Sequence, residues 1–149
     1  MKKQLVTLMA VVFFAALTVT SAQAQSLTMS VTIPFDFAVA GKTFPAGEYH
    51  LQRSTDGERV ITQIRSKDNA LSMYLPQSHP VQDIKIQLET KSKLVFNKYG
   101  DQFFLSQVWI FGRRIGEEFP KTTQERVLQR EMARNQRKAE RIAVAVKSN

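Results

Sequence analysis

Histidines and neighbouring carboxylates are the residue types in this chain that could support chemistry. His50 lies two residues after Glu48 on a predicted strand, where the pair could form a base and its partner, and His79 lies in a proline-containing loop. The chain has no cysteine and no paired histidine spacing, so a zinc site has little support. Solvated side chains are the simpler interpretation, and we expect no metal and no cofactor.

The stretch Ala40-Gly41-Lys42-Thr43 is similar to the end of a phosphate-binding loop. That motif needs a further glycine five residues before Gly41, where this chain has Asp36. Pro45 also stops the helix that should follow. We therefore predict a turn at this position.

Glu117 and Glu118 are adjacent acids in a predicted loop. Two carboxylates can serve a glycosidase, but a solvated acidic patch beside Arg113-Arg114 is the simpler interpretation. The chain also has no Gly-x-Ser-x-Gly and no His-Glu-x-x-His motif. Because the required constellations are missing, we predict that the protein is not an enzyme.

Aromatic residues concentrate in the stretch from Leu94 to Phe111, which is predicted to be a hairpin. Gly100-Asp101 suits a type II′ turn, which places Phe96 opposite Leu105. Leu94 would then face Gln107. Alternation predicts two apolar faces: Leu94, Phe96, Phe103, Leu105 and Trp109 on one, and Val95, Tyr99, Phe104, Val108 and Ile110 on the other. Tyr74, Tyr99 and Trp109 could stack on sugars, but aromatic residues at strand spacing are more often core, which we predict here.

Turn signals recur along the rest of the chain and indicate an antiparallel β-sandwich or barrel of about eight short strands. Asp56-Gly57 predicts a second hairpin, in which Tyr49 meets Ile64, Leu51 meets Thr62 and Arg53 meets Val60. A further strand is predicted from Ile84 to Leu88.

The N-terminus has the pattern of a bacterial signal peptide. Lys2-Lys3 precedes an apolar run from Leu5 to Val19, and Ala22-Gln23-Ala24 supplies a cleavage site. The run is shorter than the ~20 residues of a spanning helix, so a retained anchor is the weaker alternative. We expect cleavage after Ala24 and export to the periplasm or the medium, with no lipid attachment and no transmembrane segment after cleavage.

Basic charge concentrates at the C-terminus. Residues 121–149 carry eight basic and three acidic side chains, whereas residues 25–120 are nearly balanced. Thr122 and Glu125 fit a capping box, and no glycine or proline follows, which predicts one helix to the end of the chain. Its apolar seam would be Leu128, Met132, Asn135, Ala139, Ile142 and Val146. Its opposite face would carry Arg126, Arg130, Arg134, Arg137 and Arg141, a candidate site for an anionic surface.

Three stretches together resemble a known family: Pro34-Phe35-Asp36-Phe37, then Phe44-Pro45-Ala46-Gly47-Glu48-Tyr49, then Val95-Phe96 through Tyr99-Gly100-Asp101 to Phe104-Leu105-Ser106. A Phe119-Pro120-Lys121 step into the arginine-rich segment completes the pattern. The chain resembles a family of small secreted bacterial proteins, common in acidobacteria, with a PFDF element and an LPAGEY-like turn, in which Phe44 replaces the leucine. The resemblance implies a secreted β-rich fold and implies no activity, ligand or catalytic residue.

Two function classes remain for a chain organised as a signal peptide (1–24), a β-domain (25–120) and a basic helix (121–149). The first is a non-catalytic periplasmic or secreted protein whose β-domain has a structural or binding role in the cell envelope. The alternative is an envelope-surface or partner-docking protein that acts through the arginine-rich helix. Export makes nucleic acid an improbable partner, and an envelope component or another protein is expected instead.

Overall fold

A computed structural model describes residues 27–56, 59–82 and 91–148 of the chain. The predicted signal peptide and the whole of the predicted strand from Ile84 to Leu88 lie outside these residues. Within them the chain is mainly β, as predicted, with a helix α1 (Thr123–Arg134). The strands are β1 (Leu27–Ile33), β2 (Phe37–Val39), β3 (Lys42–Phe44), β4 (Gly47–Asp56), β5 (Arg59–Ser66), β6 (Ser72–Tyr74), β7 (His79–Val81), β8 (Lys93–Tyr99), β9 (Gln102–Trp109), β10 (Gly116–Glu118), β11 (Glu140–Ala145) and β12 (Lys147–Ser148).

The described strands form two sheets that pack as a β-sandwich. The first sheet has the order β12-β1-β4-β5-β6. The second has the order β11-β8-β9-β10-β7, with β2 joined to β9 and β3 joined to β2. Neighbouring strands are antiparallel except for the parallel pair of β2 and β9. The inward side chains of both sheets form one buried cluster, whose members include Met29, Val31, Ile33, Phe37, Phe44, Tyr49, Leu51, Ile64, Leu94, Phe96, Leu105 and Val108.

The hairpin of β8 and β9 forms as predicted near its turn. Gly100 has a φ of 61°, which glycine tolerates, and Tyr99 pairs with Gln102. Phe96 pairs with Leu105, and both side chains lie in the core cluster. The turn therefore sets the register of the central hairpin, as its sequence indicates.

A β-bulge next to Val95 changes the hairpin beyond this point. Leu94 pairs with Val108 rather than with Gln107, because β9 contains one extra residue. After the extra residue, the side chains of β9 point to the opposite faces from those predicted, so Val108 lies in the core cluster. Trp109 is buried on the other face of the sheet. The predicted position of Trp109 beside Leu94 is therefore wrong, although its predicted burial is confirmed.

The hairpin of β4 and β5 has the predicted faces but different partners. Asp56 pairs with Arg59, and Leu51 pairs with Ile64 rather than with Thr62. The register is shifted by two residues, and such a shift preserves the alternation of side chains. The inward face is confirmed, whereas the predicted partners are wrong.

The two N-terminal motifs of the family resemblance contact each other in the structure. The Asp36 carboxylate accepts a hydrogen bond from the Ala46 backbone N–H at 2.7 Å. The Tyr49 hydroxyl donates to the Pro45 carbonyl, and the Tyr49 ring packs edge-on against Phe37 with centroids 5.3 Å apart. These residues stabilise a turn and the adjacent core, which gives their pattern a structural role.

The C-terminal segment differs from the predicted single helix. Helix α1 ends at Arg134, and Gln136 has a φ of 55°, in the left-handed region that ends helices. The chain then adds β11 to the edge of the second sheet and β12 to the edge of the first. The division into a β-domain and a separate helix is therefore wrong for the described C-terminal residues, which contribute strands to both sheets.

Burial of apolar side chains explains why the segment after α1 forms strands. Val146 lies in the core cluster, and Ile142 and Val144 pack against it from alternate positions of the segment. As a strand, β11 also satisfies the backbone groups along the edge of β8, which a helix would leave unpaired.

Helix α1 is attached to the second sheet through a buried carboxylate. Thr122 is the N-cap, as predicted, and its hydroxyl accepts from the Glu125 N–H at 3.1 Å. The Glu125 carboxylate accepts from the Asn97 amide at 2.9 Å and from the Tyr99 hydroxyl at 3.3 Å. Burial and the negative charge of Glu125 raise the pKa of Tyr99 to about 12.

Among the described residues, no helix is long and apolar enough to cross a membrane.

Candidate functional site: a groove between the sheets

A groove of about 900 Å³ lies where the β4–β5 hairpin of the first sheet approaches the β9–β10 connection of the second. We call it the intersheet groove. Its apolar lining consists of Val60, Ile61, Leu75, Pro80 and Ile115. Its charged lining consists of Arg53, Arg113, Arg114 and Glu117. The groove therefore combines an apolar wall with an excess of guanidinium groups.

A buried ion pair forms the base of the groove. The Arg53 guanidinium donates to the Glu117 carboxylate, and the two side chains are only 10% and 13% exposed. Burial lowers the pKa of Arg53, the charge of Glu117 opposes this shift, and the charge of Arg113 adds to it. An arginine stays protonated throughout the physiological range, so the base of the groove holds a paired cation and anion.

The alternation of β4 places Arg53 at this position. Tyr49 and Leu51 occupy the preceding inward positions and belong to the core cluster, and Arg53 is the next inward residue. Thr62 lies directly opposite Arg53 and is buried. Its hydroxyl has no hydrogen-bond partner within the described part of the chain. The apolar core thus ends in polar groups at the base of the groove.

Contacts on the outer face hold β10 in place beside β9. A Cβ atom on Gly116 would lie 2.6 Å from the indole of Trp109, so only glycine allows this approach. The indole N–H donates to the Gln107 amide oxygen at 3.0 Å, and the Gln107 amide donates to Glu118 at 3.3 Å. Both neighbours of Glu117 are therefore fixed on the outer face, and the alternation of β10 directs Glu117 inward to Arg53.

The rim of the groove exposes apolar side chains beside a cation. Val60 is 38% exposed, Ile61 is 36% exposed and Ile115 is 48% exposed. Arg113 is exposed in the turn after β9, where its backbone N–H donates to the Ile110 carbonyl at 3.1 Å. Such an arrangement suits a ligand that has both an apolar part and an anionic group.

The histidines do not form a site. His50 lies on the first sheet with its Nδ1 3.1 Å from the Ser30 hydroxyl, and His79 is exposed on β7 of the second sheet. Glu48 pairs instead with Lys67 at 2.7 Å, and this hydrogen bond lowers the pKa of Glu48. The arrangement of His50 and Glu48 as base and partner is therefore not formed.

The adjacent acids Glu117 and Glu118 have separate roles. They lie on opposite faces of β10, so they cannot flank one substrate bond. The predicted solvated patch is wrong for Glu117, because this side chain is largely buried against Arg53.

The turn predicted in place of a phosphate-binding loop is confirmed. Ala40 and Gly41 have φ values of 49° and 82° and connect the paired residues Val39 and Lys42.

The predicted aromatic residues divide between core and surface. Tyr99 and Trp109 are each 3% exposed, which confirms their prediction as core. Tyr74 is 67% exposed on the edge strand β6, so its prediction as core is wrong.

The five arginines of the predicted helical face lie on one helix, on one strand and in the segment between them. Arg126, Arg130 and Arg134 lie on α1, Arg137 follows the helix, and Arg141 lies on β11. All five are exposed. The prediction that one helix aligns them is wrong, because the helix ends at Arg134.

Among the described residues no group of three or more histidine, cysteine or acidic side chains could hold a metal ion.

No protein-family model, no curated protein and no solved structure matches this chain.

The sequence analysis did not identify the residues that line the intersheet groove as a binding site. Its lining comes from four separate stretches, around Arg53, around Val60, from Leu75 to Pro80 and from Arg113 to Glu117. One feature of the sequence does point to the groove. Arg53 continues an inward apolar alternation, and a charged residue at an inward position requires a partner.

Proposed function

We propose that this protein is a non-catalytic binding module of the periplasm or the cell exterior that holds a small, partly apolar ligand in the intersheet groove. The observation that carries the proposal is the exposed apolar rim around a concavity of about 900 Å³. This volume is within the range of small-molecule sites, roughly 300–1,000 Å³. Export rests on the N-terminal sequence pattern.

The ionisable groups of the groove favour binding over catalysis. Its charged lining contains three arginines and one glutamate. Arginine is a poor proton acceptor because it stays charged, and Glu117 is engaged by Arg53. These groups can hold and orient a ligand, and the ion pair with Arg53 already occupies the carboxylate of Glu117.

Binding of the neutral fluorescent probe N-phenyl-1-naphthylamine tests the proposal. We expect its fluorescence to rise on addition of the protein, and we expect Ile115→Glu to abolish the rise because a carboxylate would occupy the apolar rim. Val127→Glu is the matched control, because Val127 on α1 is 46% exposed and Ile115 is 48% exposed. Equal probe binding by both variants would contradict a site in the groove.

A second candidate function uses the basic C-terminal surface. Arg126, Arg130 and Arg134 recur every fourth residue of α1, away from the buried Glu125 that anchors the helix. Such a rigid, exposed row of guanidinium groups suits an anionic envelope surface or an acidic partner. Arg137 and Arg141 would extend it.

Co-sedimentation with anionic vesicles across a salt series tests this second candidate. Wild type should bind and release with rising salt, and the variant with all five arginines changed to glutamine should not bind. Equal sedimentation of the two proteins would contradict it.

A further inference from the structure

We propose that the ligand of the intersheet groove is an anionic amphiphile, with its head group on Arg113 and its apolar chain along Val60, Ile61 and Ile115. This inference rests on the proposed function and adds the chemical class of the ligand. It requires that charge, and not only apolar contact, determines which molecules bind.

The charge of the groove supports an anionic ligand. At its base Arg53 and Glu117 neutralise each other, and Arg113 adds a positive charge close enough to disfavour the charged form of Arg53. An anion beside Arg113 would relieve this repulsion, whereas a cation would increase it. A guanidinium group also binds carboxylates and phosphates through two parallel N–H donors.

The apolar rim supports a chain rather than a small inorganic anion. Val60 and Ile61 project to opposite faces of β5, yet both line the groove, which therefore extends around the end of that strand. Ile115 lies across from them in the β9–β10 connection, two residues from Arg113. An extended apolar chain could cover these three exposed side chains while its head stays near Arg113 and the solvent.

Competition between two ligands that differ only in the head group tests the inference. We expect decanoate and decanol each to displace bound N-phenyl-1-naphthylamine from the groove, and we expect decanoate to bind about tenfold more tightly, as one charge-assisted pair allows. The advantage should shrink with rising salt because the pair is near the surface.

Charge variants locate the head group. Arg113→Gln should reduce the decanoate advantage to near unity, and Arg113→Lys should retain part of it because the positive charge remains. Arg65→Gln removes the same charge from a part of β5 that does not line the groove, and it should leave the advantage unchanged. Unfolding midpoints of all three variants confirm that each is folded before binding is compared.

Two results would overturn the inference, and they differ in what they mean for the proposed function. If decanoate and decanol bind equally, and Ile115→Glu weakens both, the groove binds apolar molecules without regard to charge and only the inference fails. If neither ligand displaces the probe, and Ile115→Glu has no effect on it, the groove is not a binding site and the proposed function fails as well.

Discussion

At the scale of single residues, the ion pair of Arg53 and Glu117 stabilises the base of the groove. Glu117→Leu would leave a buried guanidinium without its partner, and we expect a loss of about 3 kcal/mol in the free energy of unfolding. The double variant Arg53→Met/Glu117→Leu replaces the pair with apolar side chains and should recover most of this loss. Urea unfolding at neutral pH measures both. An unchanged midpoint in Glu117→Leu would show that the pair contributes nothing.

Tyr99 makes stability depend on alkaline pH. Its pKa is raised from 10.0 to about 12 by burial and by Glu125. The unfolded chain releases this proton near pH 10, whereas the folded chain keeps it until about pH 12. The contribution of Tyr99 is therefore complete below pH 10 and is lost as the pH rises through this window.

Two measurements check this dependence. Urea unfolding across the alkaline range should show a decline for wild type that is smaller in Tyr99→Phe. The tyrosinate absorbance of wild type minus that of Tyr99→Phe should titrate with a midpoint near 12, well above that of an ordinary tyrosine. A difference titration centred near pH 10 would contradict the burial of this hydroxyl against Glu125.

At the scale of elements, β10 depends on the close approach of Trp109 to Gly116. Gly116→Ala would place a methyl group 2.6 Å from the indole, so the strand or the ring must move, at a cost of about 1–3 kcal/mol. Gly47→Ala is the control, because its Cβ would meet Tyr49 at an ordinary 3.8 Å. Trp109 is the only tryptophan, so its fluorescence reports the change directly. Equal stability of the two variants would contradict this packing.

The C-terminal strands should matter for the stability of the whole sandwich. Val146 is 7% exposed in the core cluster, and we expect Val146→Ala to lower the free energy of unfolding by about 2 kcal/mol. Val127→Ala makes the same change at a site that is 46% exposed and should have little effect. If Val146→Ala proves neutral in thermal unfolding, the segment does not pack between the sheets.

Local turn chemistry explains which elements the sequence predicts well. Gly100-Asp101 sets the register of β8 and β9 up to Phe96, because the turn and the alternation agree there. The bulge beyond Phe96 has no comparable local signal, since polar Ser106 and Gln107 tolerate either face of a strand in the sequence pattern. The sequence pattern therefore predicts the wrong face of the sheet for Trp109.

The C-terminal error has a different physical cause. The capping box at Thr122 predicts the start of α1 correctly, but the helix has no glycine or proline to mark its end. Ile142, Val144 and Val146 alternate with a period of two, which is a strand signal within a segment of high helix propensity. Pairing with the edge of β8 favours the strand over the helix. That edge forms only in the folded protein, so a local sequence pattern does not reveal it.

At the scale of the whole molecule, the intersheet groove exists only when the two sheets are packed together. Arg53 belongs to the first sheet and Glu117 to the second, and their separation in the sequence hides the pair from any local motif. The groove therefore could not be predicted from the sequence, although the inward position of Arg53 could. If the binding proposal is correct, it follows that function depends on the assembled sandwich rather than on the basic C-terminal residues.

Methyl NMR of the folded protein titrated with decanoate tests the central claim most directly. We expect the Ile61 and Ile115 methyl resonances to shift together with a single saturating curve, because both line the groove. The Ile142 and Val127 methyl resonances should stay in place, since these residues lie on β11 and α1. Shifts that centre on Val127, or that spread evenly over all methyl groups without saturation, would contradict ligand binding between the sheets.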